Sequence, residues 1–65
     1  MSKIGKNVKR LRQEKGISQD RLSKLADVSL QTVVKIELDD NLNPTIDTVQ
    51  KIAKALEIGI DDLVK

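Results

Sequence analysis

The chain contains no aromatic residue, no cysteine and no histidine. Without aromatic faces it has no stacking platforms for single-stranded nucleic acid, which removes most sheet-surface RNA-binding modules. Without Cys or His there is no disulfide framework, no thiolate or imidazole metal site and no catalysis by either side chain. No run approaches the ~20 apolar residues that span a bilayer, and the N-terminus lacks the apolar stretch of a secretory signal. A cytoplasmic location with no membrane contact is expected, and the lack of cysteine is compatible with it.

What is present is a 65-residue chain, 38% hydrophobic and 34% charged, with only three Gly and one Pro. Apolar residues recur throughout, as in globular rather than disordered chains. A single domain over residues 1–65 is expected, with a core of Leu, Ile, Val and Ala. At this size only about 60% of the unfolded surface can be buried, which leaves no room for a deep catalytic cleft. Net charge is +2, unevenly spread. Residues 1–35 carry nine Lys or Arg against Glu14, Asp20 and Asp27, a balance of +6, while residues 36–65 carry three against seven acids, a balance of −4. The asymmetry points to a polyanion on the N-terminal half, the alternative being cations that only solvate helix faces.

Ile4, Val8 and Leu11 stand at i, i+4 and i+7, and Gly16 suits a left-handed cap, so a first helix is predicted over residues 3–15. Ser18 is an N-cap candidate for a second helix over 19–26, with Leu22, Leu25 and Ala26 on one face. A tight connection at Asp27 and Val28 leads to Ser29, the cap of a third helix over 30–38, with Val33, Ile36 and Glu37 inward. The polar stretch 39–44 ends at Pro44 and reads as a surface loop. Thr45 caps a fourth helix over 46–56, with Ile46, Val49, Ile52, Ala53 and Leu56 on its apolar face. After Gly59, one or two turns run from Ile60 with acids early. No segment alternates with period two, so no strand is proposed.

Two short capped helices joined by a tight turn form an arrangement whose second member can lie in a DNA major groove. At 100° per residue, Gln31 and Lys35 point away from Val33, Ile36 and Glu37. A glutamine can hold adenine through two hydrogen bonds and a lysine can donate to guanine, each good pair discriminating by about 1–3 kcal/mol. Leu30 and Val34 lie at the rim, positioned either for thymine methyls or for core packing. Ser29 and Thr32 are also placed to serve phosphates. The plain alternative for Gln31 and Lys35 is a solvated polar face.

The residues from Ile17-Ser18-Gln19-Asp20-Arg21-Leu22-Ser23-Lys24-Leu25-Ala26 through Asp27-Val28-Ser29, then Thr32-Val33-Val34-Lys35-Ile36-Glu37, Asn43-Pro44-Thr45-Ile46 and Ile52-Ala53-Lys54-Ala55-Leu56, carry a family likeness. Together they resemble the lambda repressor and Cro-like (XRE-type) helix-turn-helix family over about residues 4–64. The resemblance implies an all-α, compact five-helix domain with the helix-turn-helix at the second and third helices. It implies a transcriptional regulator, in particular a repressor, that binds pseudo-palindromic double-stranded DNA as a homodimer. By the same resemblance Ser29, Leu30, Gln31 and Lys35, beside the rim residue Val34, occupy base-contact positions. Gln19 then bonds a phosphate and helps orient the recognition glutamine, at a helix start that favours anions. Ser18, Thr32, Asn41 and Asn43 are further phosphate candidates, with Lys9 and Arg10 adding nonspecific attraction. Arg12 and Glu37 match a partly buried structural ion pair of the family.

This sequence departs from the family at Asp39 and Asp40, where Gly and a basic residue are more common, in a loop one residue longer. It also has Asp27 and Glu57 where the family often has Gly. Ile58, Ile60, Leu63 and Val64 form an apolar tail expected to pair two copies, setting recognition helices about 34 Å apart. The alternative for Leu63 is closure of the core under the first helix. A protein-binding module that keeps the fold without reading DNA is the competing function. An enzyme is not expected, because the adjacent pairs Asp39–Asp40 and Asp61–Asp62 do not converge on a substrate. No cofactor, metal or small-molecule ligand is expected.

Overall fold

A computed structural model of the protein describes residues 4–39 and 43–64. Five helices follow one another: α1 (Ile4–Glu14), α2 (Gln19–Ala26), α3 (Leu30–Leu38), α4 (Ile46–Ala55) and α5 (Ile60–Val64). Among the described residues there is no strand. The principal contacts run α1 to α3, α3 to α2, α2 to α4, α4 to α5 and α5 back to α1, so the helices close a ring around one core.

Side-chain caps set three of the helix starts. Ser18 Oγ accepts from the Arg21 amide at 3.0 Å, Ser29 Oγ from Thr32 at 3.1 Å and Thr45 Oγ1 from Thr48 at 3.2 Å. Each satisfies one of the orphan amides of a first turn. Three helix ends share one closure. The amides of Gly16 and Ile17 reach back to the carbonyls of Gln13 and Arg12, those of Asp27 and Val28 to Lys24 and Ser23, and those of Glu57 and Ile58 to Lys54 and Ala53. This double bond pattern needs a left-handed residue just beyond the helix, and Gly16, Asp27 and Glu57 take φ of 69°, 57° and 58°. The two positions without the family's glycine keep the glycine's conformation.

Val8, Leu22, Ala26, Val33, Ile36, Val49, Ile52, Ala53, Leu56 and Leu63 form the buried core, with Ile4, Leu11, Ile17, Val28, Ile58 and Ile60 packed against it. Two residues on the apolar faces expected from spacing stay outside: Leu25 is 48% exposed and Ile46 68%. Ile46 sits in the first turn of α4, and Leu25 lies at the edge of α2 that overlooks a groove shared with Lys51, Lys54 and Ala55. Gly5 is buried where α1 crosses α3, and a Cβ there would fall on the Ile36 carbonyl oxygen. Asn7 ties α5 to α1 by donating its side-chain amide to the Leu63 carbonyl at 2.7 Å.

Candidate nucleic-acid interface

α3 is held from behind and open in front. Val33 and Ile36 enter the core, and Glu37 turns inward with its side chain only 3% exposed. Arg12 meets that carboxylate with both arms of its fork, Nε to Oε2 at 2.8 Å and Nη2 to Oε1 at 3.0 Å, while Nη1 donates to the Ile17 carbonyl at 2.8 Å. Gln19 Nε2 completes the group by donating to Glu37 Oε1 at 3.1 Å. A desolvated carboxylate needs such donors, and here they come from α1 and α2. Donating its hydrogen bonds to Glu37 holds the Arg12 guanidinium above its ordinary pKa, against the opposing effect of burial, and Glu37's charge adds to the rise. One buried side chain thus fixes α3 to both neighbouring helices.

On the front, Ser29, Gln31 and Lys35 are exposed and Thr32 and Val34 half-buried, while Leu30 is 43% exposed. Gln31 and Lys35 are one turn apart on a single edge, flanked by Leu30 and Val34. Ser18 is exposed at the start of α2, where its oxygen caps the helix. The Ser29 and Thr32 hydroxyls share a hydrogen bond of 2.7 Å, so they act as a pair at the start of α3. Asn43 is exposed after the loop, and Asn41 lies outside the described residues, as does Asp40.

The bond that Gln19 makes to α3 is to Glu37. One expectation is corrected. Leu63 is fully buried in the core, so it closes the fold under α1 and is not available to a partner. Of the remaining tail residues, Ile58 and Ile60 are half-buried and Val64 is 54% exposed. Arg10 is engaged with Glu14 at 3.1 Å on the surface, whereas Lys9 is exposed with no ion-pair partner among the described residues.

A helix-turn-helix family model matches residues 8–63. The chain belongs to the helix-turn-helix family, in its lambda repressor and Cro-like (XRE-type) group. Curated relatives include the HTH-type transcriptional regulator SinR of Bacillus subtilis (strain 168) and that of Bacillus licheniformis, each 31% identical over 61 residues. The match takes in 94% of this chain and 55% of each SinR, so the chain spans about half the length of these relatives. Among solved structures, the restriction-modification controller protein C.AhdI from Aeromonas hydrophila superposes with a TM-score of 0.87 at 31% identity, over 95% of this chain and 92% of that one. A mutant of the controller protein C.Esp1396I gives 0.82 at 30% identity, over 91% of this chain and 75% of that one. These helix-turn-helix relatives are named as a regulator and as controllers, not as enzymes. Among the described residues no helix is long and apolar enough to cross a membrane and no group of acidic residues could hold a metal ion.

Gly5 and Asn7 were not signalled by the sequence. Neither residue stands in a motif, and the close approach of α1 to α3 is visible only once both helices are placed.

Proposed function

We propose that this chain is the DNA-binding domain of a transcriptional repressor, with α3 in the major groove of a pseudo-palindromic operator and two copies bound per site. The observation that carries the reading is the Gln31–Lys35 edge: two side chains suited to purine recognition, exposed one turn apart on a helix whose back is locked by Arg12, Glu37 and Gln19. Preorganisation of this kind is what groove reading requires, since base discrimination depends on side chains held in register. Leu30, Val34 and Ser29 complete the base-facing set. Ser18, Gln19, Thr32 and Asn43 serve the backbone, Gln19 through its second amide hydrogen. The acidic Asp39 at the end of α3 limits the grip of the following loop, because carboxylates repel phosphates.

Selection of sites from a random duplex pool, followed by titration of the selected duplex at several salt concentrations, tests the proposal. An enriched motif and an affinity that falls steeply with salt are expected. Absence of binding to any duplex, or a flat salt response, would favour a protein-binding role instead.

A further inference from the structure

α3 carries a second edge beside the polar one. Leu30, Val34 and Leu38 stand at i, i+4 and i+8, the spacing of one ridge along a helix. Leu30 is 43% exposed, Val34 half-buried and Leu38 81% exposed, while Val33 and Ile36 alone supply the helix's buried core residues. The ridge runs about 12 Å, or three to four base-pair steps. It adjoins the Gln31–Lys35 edge on the exposed side of the same helix, within reach of a groove that receives that edge.

Resting on the DNA-binding reading above, we infer that this ridge reads the C5 position of pyrimidines, distinguishing bases by the presence or absence of a 5-methyl group. Leucine and valine offer no hydrogen-bond donor or acceptor. They are therefore blind to position 4, where thymine presents an acceptor and cytosine a donor, and respond only to the methyl beside it. At a contacted base, 5-methylcytosine is then equivalent to thymine, and cytosine is equivalent to uracil. The domain is thereby sensitive to cytosine methylation of its operator, with methylation strengthening binding. Burial of one methyl corresponds to about a fourfold gain in affinity.

The test uses the selected operator and changes the DNA, so it does not depend on the folding of a variant. Each thymine is replaced in turn by uracil, and at the responsive position 5-methylcytosine is compared with cytosine. Each comparison keeps the same purine on the opposite strand. Uracil is expected to weaken binding about fourfold at one or two positions per half-site, and 5-methylcytosine to bind about fourfold more tightly than cytosine there. Both differences should vanish in Val34→Ser or Leu30→Ser if that residue makes the contact. An operator without thymine in its half-sites, or uracil duplexes bound as tightly as the parent, would overturn the inference while leaving DNA binding in place. If uracil has no effect and Val34→Ser instead lowers the sedimentation coefficient of the free protein, the ridge is covered by a second copy and the inference fails. Failure to bind any duplex would remove the underlying reading itself.

Discussion

Glu37 illustrates how much one side chain contributes when it is buried and charged. Its carboxylate is out of water, and Arg12 supplies the only full countercharge within hydrogen-bond reach in the described network. Arg12→Met should therefore cost about 3–5 kcal/mol, because it strands the charge rather than merely deleting a contact. For a domain of this length, whose total stability is about 3–10 kcal/mol, that is a large share. Urea unfolding should show a much lower midpoint for Arg12→Met and recovery of most of it in the double variant Arg12→Met/Glu37→Leu, which removes both charges. A single variant that unfolds like the parent would mean that Glu37 finds water or another donor. Gln31 belongs to the opposite face and should behave differently. Gln31→Ala is expected to leave the unfolding midpoint within about 0.5 kcal/mol of the parent and to relax base preference at one position of the selected motif by about 1–3 kcal/mol. An unchanged motif would show that α3 is docked otherwise. Both placements were legible in the sequence, for different reasons. Gln31 and Lys35 follow from helix geometry alone, whereas the Arg12–Glu37 pair rested on resemblance, since nothing in the spacing of residues 25 apart says that they meet. The bond from Gln19 to Glu37 was not legible, because choosing between two acceptors on α3 requires knowing which lies within reach.

At the scale of the helix, the starts were more readable than the ends. Ser18, Ser29 and Thr45 announce their helices by chemistry, and α2, α3 and α4 begin at the residues that follow them. The ends of α1 and α4 fall one residue short of the predicted limits, since the last turn bends into the left-handed closure at Gly16 and Glu57. That closure supports a prediction. A glutamate at φ 58° bears a steric cost that glycine does not, so Glu57→Gly should stabilise the protein by about 1 kcal/mol, with Asp27→Gly smaller because Asp tolerates this region better. Differential scanning calorimetry should show a rise in Tm of about 4–8 °C for Glu57→Gly; a fall would mean that the glutamate side chain contributes more than its backbone costs. Gly5 is the contrary case. Its φ is not the issue; the absent Cβ is what lets α1 lie on the backbone of α3, and Gly5→Ala should destabilise by about 3 kcal/mol, the upper end of overpacking. A sequence reader sees a glycine within a helix and cannot tell a close crossing from a tolerated flaw, so this contact became apparent only in three dimensions.

For the whole molecule, the uneven charge is partly cancelled by local pairing. Arg10, Lys24 and Lys51 are matched to Glu14, Asp20 and Asp47 on the surface, pairs worth a few tenths of a kcal/mol each. Lys6, Lys9, Lys15, Arg21, Lys35 and Lys54 are left without an ion-pair partner among the described residues, all but Lys54 in the basic half. These are the cations available to neutralise phosphates. Each one that does so releases counterions and steepens the dependence of log affinity on log salt by about 0.9. The slope therefore counts not only contacts but copies. If Lys9 lies against the DNA backbone, Lys9→Ala should weaken binding to all duplexes alike and flatten the slope by about 1 for one bound copy, or about 2 for two. Measured on a full operator and on an isolated half-site, the same substitution should change the slope twice as much on the former, provided that Ile58, Ile60 and Val64 suffice to pair two copies without Leu63. Equal changes on both duplexes would show one copy per operator, and no change on either would place Lys9 away from the DNA.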